Sequence, residues 1–229
     1  QTPDAARPLY RELLFENGAA KLYDNPALPL ADAARKLLAE VDDETRALET
    51  HFDQWSKERK LGVGFAPAGE PVEQMLYLAQ VVQLRYAEQD PGKDAPPGTP
   101  RELLARAREL ADANRIELAS ASFSLSLSIY ALRERRLDEV EPGLLRAEAI
   151  VAKWNHPVAE FQIPLIRAYA AYAAENWKEA ANHFTRAAEL AKAFPSLRGA
   201  RVSALSMLAA ASRNSGDKQS VHAALVAAV

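Results

Sequence analysis

The chain has 229 residues, near-average apolar and charged fractions, abundant alanine and a net charge of −3. That length makes one large domain or two small ones and buries roughly three quarters of the unfolded surface. The small charge lacks the long-range attraction that nucleic-acid and membrane-surface binders use, no run approaches the ~20 apolar residues of a membrane span, and the absence of cysteine excludes disulfides, thiolate metal sites and a cysteine nucleophile.

In chain order, Gln1-Thr2-Pro3-Asp4 opens the sequence without a methionine, as a terminus left by removal of a secretory signal does, or as a chain boundary of another origin. The expectation is an extracytoplasmic or periplasmic location, with a cytoplasmic one as its alternative. Helical periodicity then predicts helices near 7–23, 30–41 and 44–60, carrying Tyr10, Phe15, Tyr23, Phe52 and Trp55. Such aromatics are core residues, or they shape a small apolar pocket or a dimer surface. Proline- and glycine-rich segments at 60–69 and 90–98 bracket a further helix near 71–88. These segments divide a divergent helical N-terminal part, 1–98, from a regular array, 99–229, either as surface loops of one continuous solenoid, the preferred reading, or as a domain boundary.

Thr99-Pro100-Arg101-Glu102 joins a cap hydroxyl, a first-turn proline and a glutamate three residues after the cap, which starts a helix over 100–114. The next segment, 115–134, contains an alternation of serines with Phe123, Leu125, Leu127 and Ile129 that has the period of a strand. A lone strand has no partner in this chain, so a helix is expected, with serines permitting close backbone approach. Further helices are predicted over 138–155, 157–175, 178–194, 197–214 and 218–229, with Asp138/Glu141 and Asn176/Glu179 at cap-to-third-position spacing. Pro164 either kinks its helix or marks its true start.

Within this half a pattern recurs at steps of 40 and 41 residues. Val140, Ala180 and Val221 are followed four residues on by Leu144, Phe184 and Leu225 and seven on by Ala147, Ala187 and Ala228. Twelve residues before each anchor stands Ser128, Ala168 or Ala209. Units of two helices that cannot bury their own apolar faces do so by stacking, which predicts an all-α solenoid of antiparallel helix pairs.

On these residues the stretch 168–190 resembles a tetratricopeptide repeat. Ala168 stands at the small position of the first helix, Glu175-Asn176-Trp177 at the inter-helix turn, and Ala180, Phe184 and Ala187 at the small, aromatic and small positions of the second helix. The flanking units look similar through Ser128, Leu137 and Leu144 before it and Ala209, Gly216-Asp217 and Val221 after it. The family's usual repeat is about 34 residues, its first-helix tryptophan and tyrosine are replaced by Pro164 and Ala171, and its closing proline is displaced to Pro195. The longer repeat is also similar to helical arrays of bacterial regulators of the maltose-activator type. The resemblance implies an α-α superhelix of right-handed sense.

Catalytic constellations do not emerge. His51, His156, His183 and His222 lack a second ligand at metal spacing, there is no phosphate loop or nucleophile elbow, and the serine run has no base beside it. The carboxylates Asp42, Asp43, Glu44, Glu139 and Glu141 open helices, and Arg133, Arg135 and Arg136 close one, as the helix dipole favours. The expectation is therefore a non-catalytic protein-interaction scaffold that needs no cofactor or metal. By the resemblance, its concave groove holds a protein or peptide segment on Gln162, Tyr169, Tyr172, Arg133, Arg213 and Asn214, since tyrosine and arginine anchor interfaces; packing of both tyrosines between helices is the competing reading. The alternative is a ligand- or peptide-sensing input domain of a larger bacterial signalling protein. Ala227-Ala228-Val229 supplies no polar cap to the array, so self-association through that end is also expected.

Overall fold

In a computed structural model, the structure describes Arg11, Glu12, Phe15 and residues 71–228 other than 93, 94 and 155. The described residues are all helical: α1 (Pro71–Tyr86), α2 (Pro100–Ala113), α3 (Glu117–Arg133), α4 (Val140–Trp154), α5 (Pro157–Ala173), α6 (Trp177–Lys192), α7 (Arg198–Asn214) and α8 (Lys218–Ala228). Neighbouring helices in the sequence pack on one another. The expected helices near 30–41 and 44–60, and Tyr10, Tyr23, Phe52, Trp55 and His51, lie outside the described residues. Two compact units divide the chain at 123/124, inside α3.

In the first unit α1 is largely apolar, and Val72, Met75, Tyr77, Leu78 and Val81 are buried, as befits a helix with more than one face covered. Thr99 caps α2 as its sequence dictates. The Glu102 amide donates to the Thr99 hydroxyl, and the Glu102 carboxylate accepts from the Thr99 amide at 2.7 Å. Those bonds from Thr99 hold the Glu102 carboxyl below the usual range. The 95–98 segment is tied down: Arg85 of α1 donates to the Pro96 carbonyl at 2.7 Å and to the Gly98 carbonyl. Phe15 belongs to the core, edge-on to Phe123 at 5.4 Å. Glu12 is 1% exposed, and its carboxylate accepts from the Leu118 amide at 2.8 and 2.9 Å. A distant acid thus satisfies an orphan amide and meets the positive end of the α3 dipole.

The serine-rich stretch is helical throughout. Ser120, Ser124 and Ser128 form one buried stripe at i, i+4, i+8, so alternation in the sequence reflects small residues on two sides of a helix rather than a strand. In the second unit the stripe serves close packing. A Cβ on Gly143 of α4 would stand 2.3 Å from the Ser128 hydroxyl and 3.0 Å from the Ser124 carbonyl. The Ser128 hydroxyl lies 2.9 Å from the Val140 carbonyl and 3.1 Å from the Ser124 carbonyl, shared between the two helices.

Hairpins α3–α4, α5–α6 and α7–α8 turn by one mechanism. Arg135, Glu175 and Gly216 adopt left-handed φ of 57°, 61° and 82°. The amides of Arg136, Asn176 and Asp217 reach back to the carbonyls of Ala131, Ala171 and Ser212 at 2.8, 2.8 and 2.9 Å, the six-to-one bond of a Schellman motif. These turns fall 40 and 41 residues apart, matching the sequence repeat. Ala168, Ala180, Phe184 and Ala187 are completely buried, as are Leu144 and Ala147.

Several expected details are corrected. Asp138 caps nothing; it lies in a 3-10 turn, Leu137–Glu139, that runs directly into α4. Asn176 precedes α6, but its amide group donates to the Glu179 carboxylate instead of accepting from the helix backbone. Helix α3 begins at Glu117, because left-handed Arg115 closes the preceding turn. Helix α5 runs through Pro164 from a start at Pro157, where His156 caps it by accepting from the Ala159 amide at 3.2 Å. Leu225 is 51% exposed, unlike its equivalents Leu144 and Phe184, and Ala224 faces α7 in its place.

Replacing Ala180 by Trp, or Gly143 by Ala, is expected to cost about 1–3 kcal/mol by overpacking, read as a clear fall in Tm. Ser212 is buried, its hydroxyl has no hydrogen-bond partner among the described residues, and the equivalent positions are Ala131 and Ala171. Ser212→Ala is therefore expected to raise stability by about 1 kcal/mol; a lower Tm would contradict this account of the repeat interior.

Candidate functional site

The expected site residues fall on α3, α5 and α7. Tyr169 is half-buried, edge-on to Phe184 at 5.2 Å, and burial pushes its phenol pKa up. Tyr172 packs edge-on against Trp177 at 4.9 Å, and its hydroxyl accepts from the Asn214 side chain at 3.4 Å, a long contact across 42 positions of sequence. The structure thus brings Tyr172 and Asn214 together. Gln162 is half-buried on the same side of α5, Arg213 is exposed on α7, and Arg133 is exposed on α3 with its guanidinium 5.9 Å from the Tyr130 ring. Both tyrosines contribute to helix packing while keeping part of each ring accessible.

On the other side of α5 lies an arrangement that spacing alone did not reveal. Arg167 projects toward α4, where Glu141 and Glu148 stand two turns apart on one stripe. Its Nη2 donates to Glu141 at 2.7 Å and to Glu148 at 2.8 Å, Nη1 to Glu148 at 3.1 Å, and Nε to Glu141 at 3.2 Å. The hydrogen bonds from Arg167 hold the Glu148 carboxyl below the usual range, and Glu148 and then Glu141 push the guanidinium higher still. Glu141 therefore joins a bridge between helices besides opening one.

Beside this bridge is an open cavity of about 510 Å³ among α4, α5 and α6. Val151, Ile163, Pro164 and Leu190 form its apolar floor, with Glu148, Glu160, Arg167, His183 and Arg186 around it. His183 Nε2 lies 3.7 Å from the Glu179 carboxylate on its own helix. Among the described residues no group of three or more histidine and carboxylate side chains converges as a metal site.

No family model, curated protein or solved structure matches the chain. The internal repeat supplies a comparison of its own. The positions equivalent to Glu141, Arg167 and Glu148 one unit on are Ala181, Leu208 and Ala188, which belong to one apolar cluster. Pro164 corresponds to buried Leu205. One junction between hairpins is filled by leucines, and the preceding one is bridged by charges over an open groove. The signal lay in the alignment of repeats: Arg167 is the cation at a position where the neighbouring units have Leu127 and Leu208.

Because Glu148 titrates lower in the folded chain than unfolded, its pairing stabilises above the ordinary carboxylate range and is lost as pH falls through the folded value. Arg167→Leu is expected to show a flatter loss of stability between pH 7 and about pH 3 than the parent protein. A double-mutant cycle of Arg167→Leu with Glu148→Gln should give a coupling of about 0.5–1 kcal/mol at low salt, shrinking when salt is added. Zero coupling at low salt would show the bridge to be energetically silent.

Proposed function

We propose that the chain is a non-catalytic interaction module, a tetratricopeptide-like array of helical hairpins with a right-handed superhelical course. A partner segment docks along the face shared by successive first helices. The observation that carries this reading is the contact of Tyr172 with Asn214, which sets the ends of α5 and α7 side by side with Arg213 exposed beside them. Tyr169, Tyr172 and Gln162 then present a half-exposed strip on α5, and Arg133 extends it on α3. Aromatic rings already held by Phe184 and Trp177 lose little freedom on binding, which favours their use as anchors. Arg133 and Arg213 suit a partner with acidic side chains. No helix among the described residues is long and apolar enough to cross a membrane, so the module presents this face without a membrane-spanning helix in that region.

The test is selection of bound segments from a peptide library with the parent protein and with the Tyr169→Ala/Tyr172→Ala variant. Enrichment of acidic segments by the parent, lost in the variant while circular dichroism shows retained helicity, is the expected outcome. Equal enrichment by both proteins would overturn the assignment.

A further inference from the structure

We propose that the groove among α4, α5 and α6 is a second binding site, for a short apolar peptide with free termini, in the size range of a di- or tripeptide. It is independent of the docking face, since Gln162, Tyr169 and Tyr172 occupy the opposite side of α5 from Glu160, Pro164 and Arg167.

The space has a cause in the sequence. Where the next unit places Leu205 and Leu208, this one has the short ring of Pro164 and the side chain of Arg167, which is drawn toward Glu141 and Glu148. The result is a cavity of about 510 Å³, inside the ~300–1,000 Å³ range of small-ligand pockets. Ile163, Val151 and Leu190 offer it apolar surface.

The charges around that surface specify the ligand. Arg167 is already bound by Glu148 and Glu141, a cluster that keeps one net negative charge on the α4 side, and His183 Nε2 lies 3.7 Å from the Glu179 carboxylate. Glu160 and Arg186 remain, each without an ion-pair partner among the described residues, one on each side of the α5–α6 hairpin. Counting outward from the turn at Glu175, Glu160 is level with Leu190 and Pro164 with Arg186. The two opposite charges are therefore offset by one helical turn, about 5.4 Å along the groove, besides the separation of the two helices. That spacing exceeds what one amino acid spans and suits the ammonium and carboxylate of a chain of two or three residues. Pro164 has no N–H for the Glu160 carbonyl, so a main-chain acceptor is left for the ammonium on the side of α5 that carries Glu160. The carboxylate goes to Arg186 and the apolar side chains to the floor.

Titration calorimetry of the 229-residue protein with the dipeptide Leu-Leu is the direct test. Saturable binding is expected, weakened about tenfold or more by acetylating the amino terminus or amidating the carboxyl terminus, with free leucine weaker than Leu-Leu. Glu160→Gln and Arg186→Gln should weaken it similarly while circular dichroism stays unchanged, and the capped peptides test the same recognition without any variant. The absence of saturable binding by both Leu-Leu and Leu-Leu-Leu would overturn the proposal, as would capped peptides that bind as well as free ones. Loss of binding in Tyr169→Ala/Tyr172→Ala with Arg186→Gln unaffected would move the peptide to the other face and equally overturn it.

Discussion

Close approach of helix backbones is the constraint on which the second unit depends. Helices come within roughly 8–10 Å where the crossing carries small side chains, and the chain supplies them at two successive hairpins: Ser128 against Gly143, and buried Ala168 and Ala180 in the hairpin that follows. With the backbones that close, one large buried residue, Leu144 or Phe184, faces the interior of its hairpin, and the buried alanine three residues after it, Ala147 or Ala187, leaves room for the next helix. The turns add their own constraint through main-chain hydrogen bonds. Left-handed Arg135 and Glu175 do what Gly216 does without strain, which means the bend is specified by helix termination rather than by a turn residue.

Much of this was legible in the residues because it rests on spacing. The 40- and 41-residue steps located the hairpin turns, and Thr99-Pro100-Arg101-Glu102 located the start of α2 to the residue. What spacing does not encode is a partner from elsewhere in the chain. Glu12 capping α3, Asn214 reaching Tyr172 and Arg167 gripping two carboxylates on another helix are all long-range pairings, invisible to a local reading. Local competition misled in the other cases. Asp138 had the composition of a cap, but the 3-10 turn it occupies already feeds the backbone into α4, and the Asn176 side chain is oriented by donating to the Glu179 carboxylate and makes no cap bond. The tyrosines were legible as residues of the first-helix face. Their partial burial reflects rings large enough to pack on Phe184 and Trp177 and still reach the surface.

The two junctions flanking the α5–α6 hairpin are chemically unlike. Toward α7 it shares a continuous apolar cluster; toward α4 it meets a guanidinium held by two half-exposed carboxylates and a groove floored by Pro164. Burial of apolar area is non-directional and little affected by ions, whereas a partly exposed charge pair weakens with salt. Within the second unit the packing runs between helices that follow one another in sequence, so its two seams differ in what weakens them. Added salt loosens the ion-paired seam between α4 and α5 while leaving the apolar cluster of α5, α6 and α7 largely untouched, so ionic strength acts on one face of this hairpin and not on the other.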